Sequence, residues 1–160
     1  MDDAVAAGFR AGALLAATGI AAVLTGSPFL FPSLGPSAYL LATTPDAPAS
    51  QPRTVLGGHA VGVVAGLFVY HLLAPGLLVI EPIPAFSPAM LRLGASAIAS
   101  VILTTVGMLA TGYEHAPACA TTLIVALGLL STPTEGAIVL AAVILLLGAD
   151  SLLPRTGLRA

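Results

Sequence analysis

Two stretches decide how this chain folds: Ser33-Leu34-Gly35-Pro36-Ser37-Ala38-Tyr39-Leu40-Leu41-Ala42-Thr43-Thr44 and, in the second half, His115-Ala116-Pro117-Ala118-Cys119-Ala120-Thr121-Thr122. Each lies in a mostly apolar region and is interrupted by proline. The first has twelve residues with Pro32 before it and Pro45 after it. As a helix it rises roughly 18 Å, well short of a hydrocarbon core of about 30 Å. Its counterpart, about 117–131, is also short of a span. Both read as broken or re-entrant half-helices. Non-helical backbone at that depth has to line a cavity or be buried in protein.

The flanking sequence supplies the membrane setting. Of 160 residues, 58% are hydrophobic and 8% charged, with five Arg, seven Asp or Glu and no Lys. Ordinary soluble chains carry about 25% charged residues. So little charge cannot cover a water-facing surface, which excludes a soluble domain, a nucleic-acid binder and a disordered tail. A lone cysteine, Cys119, excludes a disulfide scaffold and reads as a small packing residue. Mean hydropathy is +1.04.

Runs without charge cover 11–45, 54–80, 93–113, 115–134 and 136–149. The runs 54–80 and 93–113 are long enough to span. The run 11–45 contains Pro28, Pro32 and Pro36, so it reads as a helix ending near Gly26 followed by a short second element. The last span extends over about 133–153, with Glu135 and Asp150 at its ends. The acidic start Met1-Asp2-Asp3 does not resemble a cleavable signal peptide, so the first span is expected to be retained.

An offset of 81 residues superposes Gly26 on Gly107, Pro36 on Pro117, Ser50 on Ser131 and Pro52 on Pro133. The layout repeats as well: long apolar helix, proline or glycine break, short segment, proline, long helix. The expected fold is therefore an all-α integral membrane protein. It has about four transmembrane helices plus two short broken or re-entrant half-helices, arranged as an internal duplication. A single membrane domain, 1–160, comprises halves of about 8–74 and 94–153 joined by a linker, 75–90. Segment length favours four crossings over six. Either count puts four Arg against one, with both termini cytoplasmic in a multi-pass protein of the cell membrane.

Pro117 suits the first position of a helix, which puts His115 and Ala116 at its mouth. Free N–H groups at such a helix start form a ready site for a small anion. Ser33, Gly35, Pro36 and Ser37 offer the parallel arrangement. Two half-helix N-termini converging on one pocket would hold an anion without a buried Lys or Arg. The expected substrate-binding residues are His115, Pro117, Ala118, Thr121, Thr122, Ser33, Gly35, Pro36, Ser37 and His59. The alternative is that the prolines only start helices and that His115 and Glu114 are interfacial caps. Arg53, which opposes the helix dipole after Gln51-Pro52, is expected at the mouth with Gln51 and Glu114, drawing anions or pairing with Asp46 or Glu114. It also reads as an exposed loop residue.

Thr132-Pro133-Thr134-Glu135 is a capping box, which makes Glu135 structural. Gly58, Gly62 and Gly66 form two small-xxx-small steps where another helix can approach closely, and Gly8 and Gly12 form another. His59 sits beside the first of these faces, lining a path or bonding a neighbouring helix. His71 is expected at the interface. Asp150, Glu114 and His115 are candidate titrating groups. No ATP-binding loop, metal motif or nucleophile–base pair is present, so neither cofactor, metal nor enzyme activity is expected.

The stretch from His115 to Leu123 resembles the signature of the HPP family of small integral membrane proteins. Pro32-Ser33-Leu34-Gly35-Pro36-Ser37-Ala38, Gln51-Pro52-Arg53 and Gly57-Gly58-His59 resemble that family's other recurring segments. The resemblance covers about 28–150. It departs at Ala116, where the naming His-Pro-Pro has its first Pro, and at Cys119, where Gly is usual. It implies four or more spans and a transport role, with nitrite transport attributed to some bacterial and plastid relatives. Some members carry fused CBS domains, for which this chain has no room.

The expected function is membrane transport of a small, nitrite-like inorganic anion by a homo-oligomer in a lipid bilayer. The alternative is a non-transporting structural or assembly protein that packs partner helices through its Gly-rich faces.

Overall fold

Pro52, Pro88 and Pro133 each open a long helix at the position where a missing N–H costs nothing. The computed structural model describes residues 3–154, and these form helices and turns with no strand among them. The start at Met1-Asp2 and the arginines Arg155 and Arg159 lie outside the described residues. Four helices are long and apolar enough to cross a membrane: α1 (Asp3–Thr25), α3 (Pro52–Leu73), α4 (Pro88–Thr111) and α6 (Pro133–Leu152). Two are short, α2 (Leu34–Thr43) and α5 (Ala118–Ala126). A 3-10 turn, Pro48–Ser50, precedes α3.

Caps set the boundaries. The Ser87 hydroxyl accepts the Met90 N–H at 3.2 Å, so α4 starts at Pro88. The Thr132–Glu135 capping box forms as expected: the Thr132 hydroxyl accepts the Glu135 N–H at 3.2 Å, and the Glu135 carboxylate accepts the Thr132 N–H at 2.9 Å. Gly128, at φ +86°, lies against the Leu77 carbonyl where no Cβ would fit. This lets the linker seal the end of α5, with the Val79 N–H bonded to the Leu127 carbonyl at 3.1 Å.

Contacts between helix ends fix the direction of each helix. Arg92 Nε donates to the Leu73 carbonyl at 2.7 Å, tying the start of α4 to the end of α3. Arg10, near the start of α1, pairs with Asp150, near the end of α6, at 2.5 Å. A Cβ on Gly136, in the first turn of α6, would touch Val63 and Leu67 in the second half of α3. Leu146, late in α6, shares a core with Val55 in the first turn of α3. Thus α6 is antiparallel to both α1 and α3, and α1 and α3 point the same way. The chain between them must therefore traverse the full bundle. It does so through the stretch 26–33, which runs back past Gly19 and Leu15, and then α2. Residues 112–117 and α5 do the same between α4 and α6. The short helices are thus broken half-helices that each complete a traverse of the bundle. The second half repeats the order of the first with opposite sense.

Helix α3 is the hub and packs on α4, α5 and α6. Its glycine face meets α5: a Cβ on Gly58 would lie 2.8 Å from His115 Cβ, on Gly62 2.8 Å from the Ala118 carbonyl oxygen, and on Gly66 2.8 Å from Val125 Cβ. Between helices in lipid there is little hydrophobic drive, so close backbone approach of this kind supplies dispersion contact instead. Phe9, Val23, Phe68 and Ile98 point outward, as lipid-facing residues would.

Candidate functional site

Ser33, Ser37, His59, His115 and Thr121 come from α2 and its cap, α3, the turn before α5, and α5 itself. All five are buried. The half-helix breaks bring them together, because they bring the first turns of α2 and α5 to the same depth as His59. The five side chains form one hydrogen-bonded chain. Ser33 Oγ lies 2.6 Å from Thr121 Oγ, and Thr121 Oγ lies 2.7 Å from His59 Nδ1. His59 Nε2 lies 3.1 Å from Ser37 Oγ, which lies 2.9 Å from His115 Nε2. His115 Nδ1 ends the chain 2.8 Å from the Ala49 carbonyl oxygen.

That last contact sets every proton in the chain. A carbonyl oxygen only accepts, so His115 Nδ1 carries a hydrogen. No carboxylate joins the cluster, so burial favours the uncharged rings. His115 Nε2 then accepts from Ser37, Ser37 accepts from His59 Nε2–H, His59 Nδ1 accepts from Thr121, and Thr121 accepts from Ser33. All donors point from Ser33 toward Ala49. Ser37 Oγ has one further acceptor within reach, the Ser33 carbonyl at 3.1 Å.

The expected anion pocket at free helix starts is not what forms. The N–H groups of Ala118, Cys119 and Ala120 bond the carbonyls of His115, Ala116 and Pro117 at 2.9, 3.0 and 3.1 Å. Those of Leu34 and Gly35 bond Phe31 and Pro32 at 3.1 and 3.3 Å. Tight i to i+3 turns consume the donors that a longer helix start would leave free. Pro117 is the N-cap of α5 rather than its first residue, and Pro36 is the third residue of α2, where it removes one more N–H. Ala118 is buried against Gly62, while Pro36 is exposed and Gly35 half-buried. The polar contacts come from side chains instead.

Thr122 faces away from the chain, accepting from Thr104 at 2.8 Å and donating to the Ala118 carbonyl at 3.1 Å. Thr104 belongs to a hydroxyl stripe on α4, Ser96-Ser100-Thr104, that sequence reasoning missed. The residues recur every four positions in an apolar span, the signal that puts them on one helix face. Ser96 donates to the Ala126 carbonyl at 2.9 Å, and the buried Ser100 hydroxyl finds no partner among the described residues.

Gln51, Arg53 and Glu114 are exposed at the end of the bundle near His115. Arg53 lies 5.3 Å above the Tyr113 ring, a cation–π contact, and donates to the Tyr113 hydroxyl at 3.4 Å. A groove of about 440 Å³, lined by Leu40, Ala49, Met108, Glu114, His115 and Cys119 among others, runs to the His115–Ala49 contact. His115 is buried at the floor of this groove, with its ring bonded to the Ala49 carbonyl. Asp150, read as a candidate titrating group, is held by Arg10. Arg10 also donates to the Leu153 carbonyl at 3.4 Å and to the Pro154 carbonyl. Among the described residues no His, Cys, Asp and Glu cluster could hold a metal ion.

Comparison with known proteins identifies the family. The family described as "HPP, transmembrane region" matches residues 1–154. No curated protein and no solved structure matches the chain. Since the match runs over nearly the whole sequence, the chain belongs to the HPP family of membrane proteins.

Proposed function

We propose that this protein transports a small, nitrite-like inorganic anion. The observation that carries this reading is the sealed polar cluster where α2, α3 and α5 meet, with Ser37 Oγ within 3.1 Å of both imidazoles. Two broken helices hold it, and the groove beneath Glu114 leads to it. Broken helices around a polar centre are the usual construction of a transporter site. With no Lys in the chain, hydroxyl and imidazole N–H groups are the donors available to the anion. The present conformation is closed. Parting His115 from Ala49 would join the cluster to the groove.

Uptake of nitrite into reconstituted vesicles tests this. Uptake should exceed that of empty vesicles, and Ser37→Ala should slow it by about tenfold, the cost of one donor to a charged group. Rates equal to those of empty vesicles would sink the reading. Arg10 and Arg53 at the end of the bundle that carries the start of α1 support a cytoplasmic placement of that end. We further read the two halves as a duplication, the complex as a homo-oligomer and the chain as a non-enzyme.

The assembly reading draws on Gly8 and Gly12, where added Cβ atoms would meet nothing within 4 Å. It loses the α3 glycines, whose face is filled by α5.

A further inference from the structure

We propose that the cluster takes up a proton together with the anion, with His115 Nε2 as the proton site and the Ser37 hydroxyl as its switch, so that transport is electroneutral proton–anion symport. This rests on the anion-transport reading above. Its independent support is that the hydrogen bonds serve both protonation states without moving a heavy atom. In the neutral state Ser37 O–H donates to His115 Nε2 at 2.9 Å. In the protonated state that hydrogen turns to the Ser33 carbonyl, 3.1 Å away. His115 Nε2–H then donates to Ser37 Oγ, while Nδ1–H keeps the Ala49 carbonyl at 2.8 Å. Every hydrogen has an acceptor in both states. The transfer is made while His115 is parted from Ala49: an N–H bond forms at Nε2, an O–H bond of hydronium breaks, water leaves through the groove, and the Ala49 contact then closes again.

Charge makes the coupling obligatory. An anion in this cluster meets no buried cation, because Arg10 is already held by Asp150. A proton on His115 meets no buried carboxylate. Either charge alone bears the penalty of an unpaired ion in a low dielectric, and the two together form a neutral pair. Each therefore raises the affinity for the other by the same factor.

The surrounding elements hold few competing groups. Helix α2 offers Tyr39, which is exposed. Helix α3 offers His59, whose Nε2–H donates to Ser37 Oγ at 3.1 Å and whose Nδ1 accepts from Thr121 at 2.7 Å, and Arg53, which is stacked on Tyr113. The α4–α5 turn offers Tyr113 and the exposed Glu114, and α5 the half-buried Cys119. Asp46 lies in the turn before Pro48, exposed. Helices α1 and α6 contribute the Arg10–Asp150 pair, with Glu135 in the capping box at the start of α6.

The test uses the full chain in vesicles of phosphatidylethanolamine and phosphatidylglycerol, with nitrite outside, a pH-sensitive dye inside and empty vesicles subtracted. One proton should accompany each nitrite, and a membrane potential set with potassium and valinomycin should leave the rate unchanged. The nitrite concentration for half-maximal rate should rise about tenfold per unit of rising pH, while the free protein holds His115 neutral. Nitrite influx without lumenal acidification, or influx driven by an inside-positive potential, overturns the coupling and leaves anion transport standing. Absence of protein-dependent influx overturns both. Nitrogen-15 NMR of labelled histidines in detergent tests the assignment to His115. Nitrite should convert that ring to the imidazolium form and leave the exposed His71 unchanged. A His115 ring that stays neutral at saturating nitrite overturns the assignment.

Discussion

Ser37 is tightly constrained. Its single hydroxyl serves two imidazoles and has a backbone carbonyl in reserve. Ser37→Ala leaves two buried ring nitrogens without that partner. We expect a loss of about 1–3 kcal/mol, read from thermal unfolding in detergent. Unchanged stability would mean that the rings re-pair elsewhere. Residue type makes much of this cluster legible: Ser33, Ser37, His59, His115 and Thr121 are all polar residues in apolar runs. The partner of each was not legible. Ser37 meets His115 across 78 positions, and only folding sets such a distance. The Ala49 carbonyl, which orients the whole chain, has no side-chain signature at all.

At the scale of elements, composition located the helices well, because proline, serine, threonine and glycine mark helix ends through backbone physics. The Thr132 capping box is an example, and Thr132→Ala should cost about 1 kcal/mol by the same melt. The half-helix starts depart from a regular helix start for an equally local reason. Their N–H groups turn back onto carbonyls three residues earlier, so a dipole argument written for a regular helix finds no free donors there. The α3 glycines were read as a docking face, and the helix that docks is the chain's own α5. Gly62→Leu would drive a side chain into the Ala118 carbonyl, where a Cβ alone already approaches to 2.8 Å. We expect a loss of about 3 kcal/mol or failure to fold, whereas Gly8→Leu, in open space, should melt like the parent.

At the scale of the whole molecule, the Arg10–Asp150 pair joins the first helix to the last. Arg10→Met leaves a buried carboxylate unpaired and should cost about 3–5 kcal/mol. The double change Arg10→Met with Asp150→Leu should recover most of that, and a double variant no more stable than the single would show that the pair contributes beyond charge balance. The four long spans, the two short pieces and their order follow from hydropathy and proline placement, since lipid and helix geometry act on any sequence locally. The direction of the short pieces does not. Twelve residues are too few to span alone, so length leaves a broken and a re-entrant half-helix equally open. The structure completes the traverse by adding an extended stretch that packs against α1, a contact no local rule anticipates. The same holds for the cluster: sequence supplied its polar residues, and the crossing of α2, α3 and α5 decided that they would satisfy one another. Hydrogen-bond partnership is a distance between separate parts of the chain, and packing alone determines it.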